Sequence, residues 1–162
     1  DDLAVSTDLI VGFPGETEDD FVETLALIAE VGFDAAYTYI FSPRPGTEAA
    51  EMTDQFVDHA VSVDRYERLR TVLSRSSALT HAARVGRGES VVIGGPAKRE
   101  PNQVTGRTRQ NKMVNLPAAP GLRVGAYADV EIIDAGNFYL IGELKEVTAD
   151  PRHRRRIPVA AA

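Results

Sequence analysis

The sequence predicts an α/β module followed by a small all-β module. Residues 3–41 pass from an apolar run through an amphipathic stretch to an aromatic-rich run, in the order strand, helix, strand. After Gly86 the chain changes to short β-type runs separated by Gly, Pro and Asn. The two regions are joined by an amphipathic stretch from Ser62 to Ala83, which predicts a long helix linking the modules.

Charge divides the chain in a similar way. Residues 1–67 hold 16 Asp and Glu against two Arg, whereas residues 68–162 hold 16 Lys and Arg against eight acidic residues. The overall formal charge of −6 conceals this division. A small basic module is typical of proteins that bind phosphate-bearing partners, although charge alone is equally consistent with an ordinary solvated surface.

The start of the first module predicts a strand, a tight turn and a helix. Leu3–Val11 is rich in Val, Ile and Leu and runs into Gly12-Phe13-Pro14-Gly15, as expected of a buried strand that ends in a turn. Thr17 predicts the helix N-cap, with Asp20 three residues later, and Gly32 predicts the end of the helix.

The rest of this module predicts a second strand and an irregular loop. Ala35–Phe41 carries three aromatic residues, and the two prolines in Ser42–Gly46 prevent regular pairing after it. A short helix is expected over Glu48–Met52. Strand, helix and strand in this order predict a parallel βαβ unit.

The second module predicts five short strands, which suggest a small barrel resembling an OB-fold. Around Val130 and Ile132, apolar residues alternate with acidic ones, the period-two pattern of a half-buried strand. The Arg-rich tail over residues 149–162 is expected to be disordered. The predicted strands are Ser90–Ile93, Gln103–Arg107, Lys112–Leu116, Ala126–Ile133 and Tyr139–Val147.

Composition excludes several kinds of site. The chain has no cysteine, so it has no disulfide, no thiolate nucleophile and no cysteine ligand for zinc or iron–sulfur clusters. His59, His81 and His153 are widely separated, so no metal site is expected. No apolar run is long enough to span a membrane, and the acidic start does not resemble a signal peptide. We therefore expect a cytoplasmic protein without a membrane partner.

The turn after the first strand is the first candidate site. A strand that opens through glycines into a helix N-terminus places backbone groups at the rim of a barrel, where small ligands bind. Gly12 and Gly15 allow a ligand to approach the backbone. The alternative from these residues alone is an ordinary βα turn of a parallel sheet.

The segments DLIVGFPGETEDDF and FSPRPGTEAAEM resemble the late barrel strands of radical SAM methylthiotransferases. The resemblance implies that residues 1–61 form the terminal βα units of a partial TIM barrel. It also implies that Ile10, Gly12 and Phe13 border the adenine end of S-adenosylmethionine, with Glu16 near the rim. Asp8 occupies a position where many members of the family have glycine.

The loop Arg44-Pro45-Gly46-Thr47 distinguishes between members of this family better than the first segment does. Pro45 stiffens the loop and Gly46 permits a turn, while Arg44 carries a permanent cation toward the barrel mouth and joins the candidate cofactor residues. The alternative is a structural arginine that ties two loops together. The RPGT form resembles enzymes that methylthiolate isopentenyladenosine in tRNA more than those acting on threonylcarbamoyladenosine or on a ribosomal protein.

The segment Gly106–Val114 is the second candidate site. Its predicted hairpin clusters two arginines and a lysine, which suit phosphates, with an asparagine that suits a base edge or a ribose hydroxyl. The alternative is a solvated basic turn. The pattern GRT-x-x-N-x-x-V resembles the signature of the TRAM domain, an RNA-binding β-barrel, and implies such a domain over residues 84–148. The candidate RNA-binding residues are Arg107, Arg109, Asn111 and Lys112, extended by Lys98 and Arg99.

The resemblance implies a parent enzyme that uses S-adenosylmethionine and two 4Fe-4S clusters to modify tRNA, acting as a monomer. Because the cluster thiolates are absent, we expect this chain to be an inactive carboxy-terminal fragment with no catalytic residue of its own. Residues 62–83 would then be a helix between the barrel part and the TRAM domain. A stand-alone TRAM RNA-binding protein is the alternative.

Overall fold

The computed structural model describes residues 2–98 and 100–151. The chain divides into two compact units, Asp1–Ala83 and Arg84–Ala162. Arg99 and the arginines of residues 152–156 lie outside the described residues. Within the described part, no helix is both long and apolar enough to cross a membrane.

The first unit begins with a parallel βαβ arrangement, as predicted. Strands β1 (Ser6–Val11) and β2 (Ala35–Ile40) pair in parallel, with Ser6 opposite Ala35 and Val11 opposite Ile40. Helix α1 (Glu18–Val31) lies between them in the chain. Because parallel strands point the same way, the segments that follow β1 and β2 leave the sheet at one edge.

Helix α1 begins and ends where its capping residues predict. Thr17 Oγ1 accepts a hydrogen bond from the Asp20 amide at 3.2 Å, and Asp20 Oδ2 accepts one from the Thr17 amide at 2.8 Å. Gly32 adopts a left-handed conformation with φ 65°, and its N–H donates to the Ile28 carbonyl. Both ends of the helix therefore have partners for backbone groups that the helix itself leaves unpaired.

A longer helix, α3 (His59–Ala82), completes this unit after the short helix α2 (Glu48–Glu51) and a 3-10 turn (Thr53–Gln55). Helix α3 starts three residues earlier than predicted because Asp58 caps it, accepting a hydrogen bond from the Ala60 amide at 2.8 Å. It packs on α1 and on both strands. The core buries Val11, Phe21, Ile28 and Leu69.

The helices cover one face of the two-stranded sheet, and the other face is exposed. Ile10, Tyr37 and Tyr39 alternate with covered residues along the strands and are 53%, 68% and 51% exposed. The register places Ile10 directly beside Tyr39. Parallel strands are normally buried on both faces, so this apolar face is unusual for a free sheet.

The second unit is a closed five-stranded β-barrel, which confirms the predicted small barrel. The strands are joined in the order β3-β4-β5-β7-β6, and β6 returns to β3. A core of Val, Leu, Ile and Ala side chains from all five strands fills the interior. The five strands are β3 (Gly88–Pro96), β4 (Gln103–Thr108), β5 (Met113–Pro117), β6 (Tyr127–Ala135) and β7 (Leu140–Ala149).

Strand β3 extends beyond the predicted Ser90–Ile93. Gly94 and Gly95 suggest the end of a strand in the sequence, but the pairing with β4 shifts between Ile93 and Gly95 and then continues. Gly95 has φ 146°, which glycine adopts without strain. The two glycines therefore form an irregularity within the strand, and pairing resumes as far as Pro96.

The direction of the strands determines at which end of the barrel each connection lies. The turns β4–β5 and β6–β7 leave at one end, because β5 and β7 are parallel neighbours and Val114 pairs with Leu140. The β3–β4 and β5–β6 connections lie at the opposite end. We call the end with the β4–β5 and β6–β7 turns the turn end. The end with the longer β3–β4 and β5–β6 connections is called the linker end, after these links between strands.

Removing the α1 cap tests the capping arrangement. Thr17→Ala is expected to lower the free energy of unfolding of the first unit by about 1 kcal/mol, because the Asp20 amide loses its acceptor. Urea unfolding followed by far-UV circular dichroism measures the change. The control is Thr71→Ala on the exposed surface of α3, which leaves every cap intact. An equal effect of the two substitutions would argue against a stabilising cap.

Candidate nucleic-acid interface and cofactor turn

The turn between β1 and α1 is closed by interactions within the chain. Gly12 has φ 71°, and its N–H donates to Glu16 Oε2 at 2.7 Å. A Cβ at Gly12 would lie 2.9 Å from Ser62 Cβ on α3 and closer still to Ser62 Oγ. Glycine is therefore required here by backbone conformation and by helix packing, whether or not a ligand approaches.

Arg65 holds this turn from α3. It is only 4% exposed, and its Nη1 donates to Glu16 Oε2 at 2.7 Å and to the Glu16 carbonyl at 3.0 Å. Its Nε reaches Glu18 at 3.3 Å, and its guanidinium lies 5.7 Å from the centre of the Phe21 ring. The same Glu16 oxygen thus accepts from Gly12 and from Arg65, which compensates both buried charges.

Two of the predicted cofactor residues remain exposed beside this turn. Ile10 is 53% exposed and Phe13 45% exposed. The Phe13 ring meets Phe41 edge to face with 5.3 Å between ring centres, and Phe41 meets Phe56 in the same way at 5.9 Å. These contacts connect the turn after β1 with the loop after β2, at one edge of the sheet.

Arg44 lies in the loop after β2 with its side chain exposed. Its carbonyl accepts hydrogen bonds from Thr47 N at 3.2 Å and Thr47 Oγ1 at 2.8 Å, which close the RPGT turn. Among the described residues the guanidinium takes part in no hydrogen bond or ion pair, so Arg44 does not tie two loops together. Its cation is available to a ligand at this edge of the sheet.

The β4–β5 turn at the turn end of the barrel carries the TRAM-like motif. Asn111 has φ 60°, a left-handed conformation that asparagine tolerates better than most residues, and its N–H donates to the Thr108 carbonyl at 3.0 Å. The buried Thr108 hydroxyl accepts from the Lys112 amide at 3.2 Å. A Cβ at Gly106 would lie 3.2 Å from Val91 Cβ. The motif residues Gly106, Thr108 and Asn111 therefore shape the hairpin.

The two arginines of the motif are exposed on this hairpin. Arg107 Nη1 donates to the Asn111 carbonyl at 2.8 Å, which orients one edge of its guanidinium along the turn. Arg109 lies at the tip. A guanidinium keeps its charge at any physiological pH and has several donors, so these two side chains suit phosphate oxygens.

The remaining predicted RNA-binding residues do not join this group as expected. Lys112 is 5% exposed, so its ammonium is buried and does not present a surface cation. Lys98 is exposed but lies in the β3–β4 connection at the linker end of the barrel. Strand direction and side-chain orientation decide which cations share a surface, and they separate these two lysines from Arg107 and Arg109. Arg99 lies outside the described residues.

Two buried arginines were missed by the sequence analysis. Arg65 is one of two arginines among 16 acidic residues in the first 67, and because the equally isolated Arg44 is exposed, the sequence alone does not identify Arg65 as buried. Arg84 is 5% exposed and pairs with Glu89, and its Nη1 also contacts Gln110 Oε1 at 3.4 Å. Within the described part of the chain, no group of three His, Cys, Asp or Glu residues could hold a metal ion.

Gly12→Ala is expected to destabilise the first unit more than Gly32→Ala. Both glycines are left-handed, with φ 71° and 65°, so both variants carry a strain of about 1–2 kcal/mol. Only the Cβ at position 12 meets Ser62, whereas nothing lies within 4 Å of one at position 32. Urea unfolding of both variants measures the difference. Equal losses would show that the Ser62 contact has no energetic consequence.

Arg68→Gln tests the exposed ion pair between Arg68 of α3 and Glu18 of α1. The hydrogen bond from Arg68 lowers the pKa of Glu18. A lowered pKa stabilises the fold above the ordinary carboxyl pKa, and this stabilisation is lost as the pH falls through the lowered pKa. We expect Arg68→Gln to raise the pKa of Glu18, measured by NMR titration of the carboxyl group. The loss of stability that the substitution causes should become smaller in acid. Arg70→Gln, which removes the pair with Glu67, should leave the Glu18 pKa unchanged.

Comparison with known proteins agrees with the motifs. The TRAM domain family matches residues 82–145. The tRNA-2-methylthio-N(6)-dimethylallyladenosine synthase of Thermoanaerobacter sp. (strain X514) is 48% identical over 146 residues, which are 90% of this chain and 31% of that protein.

Proteins of the same name give similar values in other bacteria. The one from Halorhodospira halophila is 43% identical over 93% of this chain and 32% of its own length, and the one from Burkholderia cenocepacia (strain HI2424) is 42% identical over 92% and 33%. The chain thus spans about a third of the length of the curated relatives it matches. Residues 82–145 thus match the TRAM domain family, and the chain is similar to part of the tRNA-2-methylthio-N(6)-dimethylallyladenosine synthases.

Proposed function

We propose that this chain supplies the tRNA-binding domain and part of the S-adenosylmethionine pocket of a tRNA methylthiotransferase. The substrate nucleoside is isopentenyladenosine, also called N6-dimethylallyladenosine, next to the anticodon. The observation that carries the proposal is the pair of exposed arginines, Arg107 and Arg109, on the β4–β5 turn of a TRAM domain. We assign the whole enzyme to the cytoplasm, as a monomer.

The barrel is suited to bind RNA through its backbone phosphates. Arg107 and Arg109 are exposed on one short hairpin whose shape depends on hydrogen bonds around Thr108 and Asn111. Cations held on a rigid turn lose less conformational freedom on binding than cations on a flexible segment. Contacts of this kind release counterions from the nucleic acid, so the affinity falls as the salt concentration rises.

The first unit would contribute one wall of a cofactor pocket. We assign Ile10 and Phe13 to direct contact with S-adenosylmethionine, because both present apolar surface at the sheet edge. Gly12 and Glu16 would shape the turn, since their polar groups bond to each other and to Arg65. When bound, S-adenosylmethionine would supply radical chemistry and the methyl group. Arg44 would offer a cation to its carboxylate or to the tRNA.

The exposed sheet face supports assigning residues 1–61 to the end of a larger barrel. In a parallel barrel both faces of every strand are covered, the outer by helices and the inner by side chains of other strands. Here only the helix-covered face is buried, and Ile10, Tyr37 and Tyr39 are exposed on the other. Further strands would convert that face into a barrel interior.

The iron–sulfur clusters do not fit this chain. Such clusters are held by cysteine thiolates, and none of the 162 residues is cysteine. The cluster ligands of the proposed enzyme therefore belong to the part of its relatives that this chain does not span. No catalytic step is assigned to the residues described here, whose role is to bind and orient.

An independent RNA-binding protein is the second candidate, and one observation favours it. The barrel is closed and has its own apolar core, so it can fold without the first unit. The exposed apolar face beside β1 and β2 favours the enzyme instead, because an independent protein gains nothing by exposing it. CxxxCxxC is the cysteine motif that holds a cluster in radical SAM enzymes. A longer reading frame that encodes this motif upstream of the chain would decide in favour of the enzyme.

Binding of the 162-residue chain to tRNA tests the proposed RNA surface. We expect a Kd that is roughly micromolar or weaker and that rises steeply with salt. Arg107→Ala and Arg109→Ala should each weaken binding and reduce the slope of log K against log salt by about one. Filter binding at several salt concentrations measures both quantities.

Lys98→Ala is the matched control, since it removes one exposed cation at the linker end of the same barrel. We expect it to change neither affinity nor slope. Unchanged binding in both arginine variants would contradict the proposed surface. A loss in Lys98→Ala equal to theirs would show nonspecific attraction to the whole barrel.

A further inference from the structure

We propose that the β6–β7 turn is a stacking surface for an unpaired RNA base, with Phe138 as the platform. This inference rests on the proposed function, because it assigns a second contact to the same RNA. It adds a chemical class of ligand, single-stranded rather than paired RNA, that phosphate contacts alone do not select. The main evidence is an exposed aromatic ring on the turn next to the basic turn.

Strand pairing places this turn beside the arginines. Strand β5 starts directly after the β4–β5 turn and β7 directly after the β6–β7 turn, and Val114 of β5 pairs with Leu140 of β7. Neighbouring strands lie about 4.8 Å apart. Phe138 precedes Leu140 by two residues, and Asn111 precedes Val114 by three. The two turns therefore leave adjacent strands at nearly the same height of the barrel.

Phe138 is exposed although the fold offers an apolar core. Its side chain is 67% exposed, and it is absent from the group of residues that fills the barrel. Burying a phenylalanine normally stabilises a fold, and this position forgoes that stabilisation. Single exposed apolar residues are common on proteins, so exposure alone carries no function. Here the turn that carries the ring is adjacent to the turn that carries the two arginines, and that combination suits a nucleotide.

The turn that carries Phe138 is held in shape. The Gly136 N–H donates to the Tyr139 carbonyl at 2.8 Å, and Ala135 N–H donates to Asp134 Oδ1 at 2.8 Å. A Cβ at Gly136 would lie 2.8 Å from the Tyr139 ring, so that ring packs directly over the glycine. Tyr139 supports the turn, while Phe138 projects from it.

An unpaired nucleotide meets both features at once. Its phosphates suit Arg107 and Arg109, and its base offers an aromatic face to Phe138. In a duplex the base faces are already stacked on their neighbours, so a protein ring can reach them only after the stack opens. The surface therefore favours loops and single strands, with little preference between bases, because every base has an aromatic face.

Tryptophan fluorescence tests stacking directly. The sequence contains no tryptophan, so Phe138→Trp gives the 162-residue chain a fluorophore at this position alone. The probe is an oligoadenylate of about 12 nucleotides, within the usual site sizes of roughly 4–16. We expect its binding to quench the fluorescence, whereas an abasic strand of equal length should bind without quenching. The matched control is Tyr127→Trp, at the linker end of the barrel, which should not respond.

Affinity gives the second measurement. Phe138→Ala should weaken oligoadenylate binding by roughly 5- to 150-fold, because base–aromatic stacking contributes about 1–3 kcal/mol per base. Its salt slope should stay unchanged, since no cation is lost. Phe138→Tyr should restore most of the affinity, and circular dichroism would verify that the variants are folded.

The outcomes separate this inference from the proposed function. If the arginine variants weaken binding while Phe138→Ala binds oligoadenylate normally and Phe138→Trp is not quenched, the stacking surface is overturned and the RNA-binding function stands. If the unaltered chain binds neither tRNA nor oligoadenylate, both are overturned. Equal quenching by the abasic strand would also overturn stacking.

Discussion

Closure of the second unit depends on one short parallel pairing. β5 and β7 meet through Val114 with Leu140 and Asn115 with Ile141, whereas the antiparallel neighbours pair over five or more residues. Without this pairing the sheet would have two open edges, and its apolar face would meet water. The same pairing brings the β4–β5 and β6–β7 turns to one end. The contact that encloses the core thus also assembles the proposed RNA surface.

The first unit depends on a different interaction, the buried ion pair of Arg65 with Glu16. It links α3 to the turn after β1, and through Glu16 it also fixes the Gly12 amide. Removing one partner would leave the other charge buried without compensation, which costs more than the pair itself contributes. The turn is therefore supported from the helix side, while Ile10 and Phe13 remain exposed.

In both units some residues of the recognisable motif build the turn, whereas others remain exposed on it. Gly12, Gly106, Thr108 and Asn111 serve backbone conformation and close packing. We propose that the exposed arginines and aromatic rings on these turns contact the ligand. A motif can therefore be shared among relatives because it builds a turn. In the proposed enzyme, each turn then presents side chains to tRNA or to S-adenosylmethionine.

Local chemistry was enough to predict the strands, the capping of α1 and the five-stranded barrel, because periodicity, capping residues and glycines act over a few neighbouring positions. The grouping of site residues was not local. Lys112 is buried and Lys98 lies at the other end of the barrel, although both are close in sequence to exposed arginines. The turn with Phe138 comes next to the turn with those arginines only through strand pairing. Which side chains share a surface was decided by the tertiary structure, since strand direction and barrel closure join residues far apart in the chain.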